Sequence, residues 1–546
     1  MCSSDLALAA FEPGHPEKLL PILAEARPLI AAINDPLARR KLQELDELIA
    51  LAGGLHLEAQ ANDFAVTPGS DLRITASATA RLPVQISING IRLTGVTGAP
   101  EQTIPQTVLV TNQTAQYPLT VKIPANQPYS QPYWLANPKN GTMYLIPDQQ
   151  LIGNAENAPV MEAHFKVKIA GTELELTRPV QHRYVDRVYG ELFRPLEIVP
   201  PVGLDLAGNA LVFPNTTARQ VDVPVRSNAG KQSGEVRLEV PAGWTVTPPA
   251  RPFKLDATDE QVIVSFQLQP PAGDSRGVVR AVAIMDRILA PEGITGGTAV
   301  RTGITRINYP HIPVQMLLPP AQMALVRTNI TNLSKNVGYV MGAGDEVPES
   351  IRQLGAEVTL LSSQDLARGD LSKFDAIVTG VRAWNTRADL RANYQRLFDY
   401  VNNGGTMVVQ YNVAEGGPTG GPLEHIGPYP IRLSRNDRVT VEEAPVTFPN
   451  PGLALLHKPN EITSADFDNW IQERGLYFAT EWDSRYLSVL ESHDPGEMPL
   501  PGGELYTKYG KGAYIFSAYD WFRELPAGVP GAYRLFANMM SAAKVQ

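Results

Sequence analysis

The side chains that could do chemistry are few and widely spread. The eight histidines (His15, His56, His164, His182, His311, His425, His457 and His493) show no metal-ligand spacing, and there is no H-E-x-x-H. The single cysteine, Cys2, excludes an intrachain disulfide, a Cys-based zinc site and a thiol nucleophile in the C-terminal part. No G-x-S-x-G elbow is present. His15-Pro16-Glu17 resembles the start of an H-P-D-D metal motif, but it lacks both acids and a preceding apolar strand. His164 lies among strand residues and is expected to face solvent. Gly342-x-Gly344 sits where phosphate-binding loops sit, after a strand and before a helix. Val347 holds the third glycine position, and Asp345 and Glu346 would repel a pyrophosphate, so a tight turn is the better reading.

The remaining polar groups follow expected strands: Asp345 and Glu346, then Arg382, Trp384 and Asn385, then Gln410 and Asn412. His425, with the glycine-rich stretch Gly416 to Gly421, and the pair Glu481-Trp482 add to them. Open α/β sheets bind ligands beyond the carboxyl ends of their strands. Polar and aromatic groups gathered in such a cleft suit a sugar or another neutral polar ligand. The structural alternative pairs Arg382 with Asp345 and lets Trp384 plug the sheet end. Ser130-Gln131-Pro132-Tyr133-Trp134-Leu135 is a second aromatic patch, suited either to a sugar face or to packing.

These residues need a scaffold, and the patterning supplies one. The chain has 546 residues, 43% hydrophobic and 19% charged, which is a globular composition long enough for three or four domains at ~100–200 residues each. A net charge of -9 argues against a nucleic-acid or anionic-membrane partner. No apolar run approaches the ~20 residues of a membrane span. Residues 17–54 read as two helices, with Asp35 capping the second at Pro36 and Gly53-Gly54 ending it. From 55 the period becomes two. Val84, Ile86 and Ile88 run into Asn89-Gly90, a hairpin signal, and Phe165 to Leu176 folds back at Gly171. Residues 191–320 repeat the style, which predicts two antiparallel β-sandwiches. From about 333 strands alternate with helices, including one over Leu390 to Val401, and predict a mostly parallel, doubly wound sheet. The expected fold is therefore multidomain: a helical segment over 1–54, Ig-like β-sandwiches over 55–190 and 191–325, and an α/β domain over 326–546.

Several blocks carry a resemblance. They are Ser130 to Leu135, Arg178-Pro179-Val180, Arg194-Pro195-Leu196-Glu197, Gly342-Ala343-Gly344-Asp345-Glu346-Val347-Pro348, Val378 to Ala383, Asn403-Gly404-Gly405-Thr406 and Leu525 to Phe536. Together they resemble the C-terminal extension of bacterial PIG-L/LmbE-family deacetylases. Val240-Pro241-Ala242-Gly243-Trp244 resembles the alpha-galactosidase-associated sandwich module. Residues 333–546 resemble a class I glutamine-amidotransferase-like or ThuA-like domain that has lost its nucleophile.

The resemblance implies a chain that follows a separate catalytic domain, in which an H-P-D-D motif and a distal His hold zinc and an Asp serves as base. None of those residues is present here, so no catalytic residue and no cofactor is carried over to this chain. Zinc belongs to that preceding domain alone. The implied partners are a glycan or glycoconjugate and the deacetylase domain, and the implied location is the periplasm or outside the cell. Two other functions stay open. One is a ThuA-like sugar-modifying enzyme using Glu346, His425 or Glu481 for acid/base work. The other is a structural spacer.

Overall fold

The computed structural model describes residues 3–96, 101–102, 106–286, 299–416 and 421–545. Cys2 and most of the glycine-rich stretch 416–421 lie outside the described residues. The chain is multidomain and mostly β, with a short helical N-terminal segment and several sheets.

The N-terminal segment forms the expected pair, Leu20–Ala31 and Pro36–Ala52, preceded by a helix over Ser3–Ala10. Asp35 caps the second of the pair by accepting from the Leu37 N–H at 2.8 Å. Arg27 holds the two helices together through two hydrogen bonds to Asp46, at 2.7 and 3.0 Å. Leu45, Ile49 and Ala50 are buried in one apolar cluster with the strands that follow, so the pair packs forward onto the sheet.

Those strands form a nine-stranded arrangement. Its longest member, Thr172–Asp186, pairs antiparallel with Glu162–Ile169, then parallel with Leu55–Ala61, and finally antiparallel with Gly190–Pro195. Ala170 and Gly171, both at positive φ, make the turn expected at Gly171. Asn89-Gly90 is not a hairpin. Ile86–Thr94 is one strand, and the pairing to Glu162–Ile169 slips between Ile88 and Gly90. Both halves find their partner on the same neighbouring strand, so the pair is accommodated as a bulge and the chain does not reverse. His164 lies on the polar face of its strand with Glu162, Lys166 and Lys168, as expected, but is partly covered there. Its side chain is 16% exposed and its ring nitrogens lie 2.9 and 3.1 Å from the hydroxyls of Thr94 and Thr177.

Between residues 202 and 327 a four-stranded and a six-stranded sheet feed one buried cluster that includes Phe213, Trp244 and Phe266. Trp244 meets Phe213 edge-on at 5.0 Å and donates its indole N–H to Ser275.

The C-terminal region is built on an eight-stranded sheet. Its strands are β1 (Asn336–Val340), β2 (Glu357–Leu360), β3 (Ala376–Thr379), β4 (Thr406–Val409), β5 (Val446–Thr447), β6 (Leu487–Ser492), β7 (Leu500–Tyr509) and β8 (Gly512–Ser517). The order is β2-β1-β3-β4-β8-β7-β6-β5. The pairs from β2 through β8 are parallel and the rest antiparallel. Strands β1, β3 and β4 are almost wholly apolar and buried, as a sheet covered on both faces requires. Helix α1 (Val347–Gln353) follows β1, α2 (Tyr394–Asn402) precedes β4, and α3 (Pro530–Met540) is nearly all buried. The helix expected over Leu390 to Val401 is two helices, Ala388–Ala392 and α2, broken at Asn393, whose side-chain amide bonds back to Asp389 O at 2.8 Å.

One polar clamp fixes this region to the one before it, and a second closes the region on itself. Gln353 at the end of α1 accepts from Val212 N at 2.7 Å and donates to Ala210 O at 3.2 Å, and Arg219 donates to Gln353 O. Asn460 exchanges two hydrogen bonds with Thr331 and also bonds Asn538 on α3. Asn538, fully buried, donates to Leu455 O and Asn460 O and accepts from Asn460 N and Nδ2. Each partner left unsatisfied in the interior costs about 1–3 kcal/mol. Asn538→Leu should therefore lower the unfolding free energy in urea by about 3 kcal/mol or more, and an unchanged midpoint would contradict this accounting.

Candidate functional site

The register puts Val340, Thr379, Val409 and Phe516 in one row across β1, β3, β4 and β8. The segments just past that row share one edge of the sheet. The sequence changes direction at β1, with β2 on one side and β3 on the other, which is where ligands bind in sheets of this order.

Asp345 ties the edge together. Its Oδ1 accepts from the Tyr339 hydroxyl at 2.6 Å and from Val347 N at 3.1 Å, and its Oδ2 accepts from Val381 N at 3.1 Å. It is thus bonded to the loop after β3, and the pairing with Arg382 offered as an alternative does not occur. Burial and the Asp345 carboxylate push the Tyr339 hydroxyl well above its usual pKa, so it stays a donor. Gln410 and Asn412 are buried beneath the edge. Gln410 donates to the Tyr339 hydroxyl at 3.1 Å, while Asn412 donates to Gln410 O and accepts from Trp384 N. Asn385 latches the chain at Val413 and Glu415, and Trp384 is fully buried. These four residues shape the edge from below.

The other expected residues take no part in this bonding. Glu346 is exposed at the start of α1. His425 stacks on Tyr394 at 4.3 Å. Glu481 pairs with Arg432 at 3.2 Å on the small Ile431–Leu433/Ala479–Trp482 ribbon, which also carries Trp482. Ser130, Gln131 and Pro132 line a separate cavity of about 210 Å³, beside which Tyr133 and Trp134 meet edge-on at 5.0 Å.

Arg382 does stand at the edge, in company that the pattern did not reveal. It is exposed, its N–H donates to Tyr411 O at 2.8 Å, and its guanidinium is near enough to act on the Tyr411 hydroxyl, as are the side chains of Tyr477, Asp520 and Glu473. The Tyr411 ring lies 5.8 Å from Tyr477 and 5.7 Å from Phe522. Segment 473–477 arrives by pairing with the chain past β8. Asp520 N bonds Arg474 O, Leu476 N bonds Ala518 O, and Gly475 bridges Tyr519. Gly475 permits this approach, since a Cβ there would lie 2.3 Å from Ala518 O.

Asp520 and Glu473 form a carboxyl pair beneath the aromatic mouth. The Asp520 side chain is fully buried, and counted as a carboxylate its Oδ1 has no partner. With a proton it donates to Glu473. Burial first, then the bond to and the charge of Glu473, push its pKa up to about 9 despite Arg523 at 3.1 Å. Arg523 also pairs with Glu473 at 3.3 Å. Burial likewise raises Glu504 and Glu524 to about 8.

Three non-glycine residues here are left-handed: Arg382 at φ 56°, Gln472 at 70° and Tyr477 at 59°. That region costs a side-chain-bearing residue about 1–2 kcal/mol, and such strain concentrates at functional sites. Arg382 occupies the strand-to-helix turn between β3 and the helix Ala383–Thr386 in the left-handed region. Among the described residues no three His, Cys, Asp or Glu side chains gather as a metal ion would require.

No known protein family and no curated protein matches the chain. Among solved structures it is similar to a cold-adapted β-galactosidase from Rahnella sp. R3 (15% identity, 40% of this chain and 32% of that one, TM-score 0.24). It is also similar to an E. coli alpha-2-macroglobulin (9%, 52% and 17%, TM-score 0.18) and to red sea bream transglutaminase (10%, 46% and 32%, TM-score 0.20). The chain spans about a third or less of the length of these proteins, and likenesses this slight decide neither fold nor function.

Two outcomes follow from the strain and the buried acid. Arg382→Gly should leave the unfolding free energy unchanged or raise it by up to about 1 kcal/mol, because relieved strain outweighs the extra freedom of unfolded glycine; thermal and urea unfolding would read this. Asp520 keeps its proton to about pH 9 when folded and gives it up near 3.8 when unfolded. Folding therefore binds a proton between those values, and stability falls as pH rises through them, by at most about 1.4 kcal/mol per unit. Asp520→Asn should flatten that fall between pH 6 and 9.

Proposed function

We propose that this chain is a non-catalytic accessory region that presents glycan or glycoconjugate to a zinc-dependent PIG-L/LmbE-type deacetylase domain in the periplasm or outside the cell. One observation carries the reading. A guanidinium, two tyrosines, a phenylalanine and a carboxyl pair converge on one sheet edge. Aromatic faces with a few fixed polar groups suit a polyhydroxylated ring.

The reading takes the β strands of 55–190 and 191–325 as two Ig-like sandwiches and 326–546 as a doubly wound, amidotransferase-like unit. The sheet order β2-β1-β3-β4-β8 and the break of buried clusters near residues 198 and 326 support that division.

A second reading, a sugar-modifying ThuA-like enzyme, is favoured by the Asp520–Glu473 pair, which holds a proton at neutral pH beside the aromatic mouth. It does not run through Glu346, His425 and Glu481, which share no contact. A purely structural spacer would leave the strained residues at the mouth without a use.

Calorimetric titration with chitotriose and with a panel of neutral and acidic oligosaccharides tests the proposal. Binding should appear, fall about tenfold in Tyr411→Ala and Tyr477→Ala, and be unaffected by zinc. Acetate release from N-acetylglucosamine conjugates by this chain alone would overturn the non-catalytic reading, and absence of binding to every saccharide would overturn the glycan reading.

A further inference from the structure

Resting on the glycan reading, we infer that the sheet-edge mouth selects a saccharide bearing a carboxylate, a uronic acid unit whose carboxylate pairs with the Arg382 guanidinium while its ring lies against Tyr411 and Tyr477. The argument begins with what Arg382 lacks. Among the described residues it forms no ion pair and no side-chain hydrogen bond, although it is exposed at an edge that also carries Asp345, Glu473 and Asp520. Arg523 is met by Asp520 and Glu473, and the carboxyl pair with one shared proton carries the single negative charge that Arg523 offsets. Arg387, on the same side of the chain turn, is spent on Asp389 at 2.6 and 2.8 Å. Arg391 is spent on the carbonyls of Trp384 and Asn385. Arg382 is therefore the guanidinium left free at this edge, which also carries the Asp345 carboxylate on neutral donors alone and so has no surplus of positive charge.

The backbone gives the second line of argument. Arg382 is held left-handed by contacts that do not use its side chain. These are its own N–H on Tyr411 O, Trp384 N on Asn412, and the close pass of Gly342, where a Cβ would meet Val381 O at 2.0 Å. Glycine would occupy that turn at less cost. A side chain kept there against strain, free of every internal partner, is a side chain directed at something outside the chain.

One charge fits one monoanion. A guanidinium engages a carboxylate through two parallel N–H···O bonds. A phosphate, carrying about -1.5 to -2, calls for more cations than this mouth offers. The overall charge of -9 does not forbid an anionic ligand, because charges beyond about 8 Å are screened at physiological salt. The aromatic pair beside the guanidinium accounts for the ring and separates a uronate from a bare carboxylic acid.

Calorimetric titration of the full chain with tri-galacturonate and tri-mannuronate, each beside its fully methyl-esterified form, isolates the carboxylate without changing the ring. Chitotriose and galactose 1-phosphate serve as neutral and phosphorylated comparisons. At least one uronate should bind about tenfold or more tighter than its ester, and its affinity should fall as salt is raised. Arg382→Gln should remove the preference, Arg382→Lys should restore part of it, and Arg382→Gly should lose it while remaining folded. Equal binding of acid and ester, an unaffected Arg382→Gln, or tighter binding of the sugar phosphate would overturn the inference. Chitotriose binding with no uronate binding overturns this inference alone, whereas no binding of any saccharide overturns the glycan reading beneath it.

Discussion

The carboxylate of Asp345 governs the C-terminal sheet edge. A single side chain accepts from a hydroxyl on β1, from the first turn of α1 and from the loop after β3. Those three bonds set where β1 ends, where α1 begins and how the β3 loop turns. The Arg382 turn follows directly from the last of them, since Val381 is bonded in place and Arg382 N is taken by Tyr411 O. Tyr339 and Gln410 below contribute a buried donor chain that gives the carboxylate no reason to move. Removing so central an acceptor would leave a buried tyrosine hydroxyl and two backbone N–H groups without partners at once.

The mouth above that knot combines features that stability alone would discourage. Three side-chain-bearing residues are left-handed, and a carboxyl group with almost no exposure is kept within a hydrogen bond of another. Each raises the energy of the folded chain, and the surrounding apolar sheet absorbs the cost. Fully buried Tyr514, Ile515, Phe516, Tyr519 and Trp521 form the floor on which the pair sits. The same apolar floor that stabilises the fold is what desolvates Asp520 and keeps its proton on.

Much of this was legible in the residues. Asp35-Pro36, the alternation before and after Gly171, and the apolar strands Asn336–Val340, Ala376–Thr379 and Thr406–Val409 carry local signals that the structure obeys. Asn89-Gly90 misled because a hairpin signal and a bulge use the same conformationally permissive pair, and only the neighbouring strand decides between them. At the site, Arg382 was visible as a residue just past a strand. Tyr411 too follows a strand, but Tyr477, Glu473 and Asp520 carry no local mark of the site, because 473–477 joins the edge through pairing with 518–520, a contact more than forty residues long in sequence. The available hints were small: an acid directly after the apolar run Tyr514 to Tyr519, and Gly475 between an arginine and a leucine, where only a missing Cβ allows the approach. Gln410 and Asn412 have the profile of ligand groups, whereas the structure uses them as internal struts, since polar residues past a buried strand serve either purpose.

Helix α1 is bonded at both ends to things that matter. Its first turn hangs from Asp345, and its last residue, Gln353, grips Val212 and Ala210 in the preceding β region. Seven residues of helix span about 10 Å, too short to bend appreciably. The helix therefore behaves as a push-rod. Any displacement of the loop that carries Asp345 must either break the Gln353 grip or be delivered, nearly undiminished, to the neighbouring strand Ala210–Phe213.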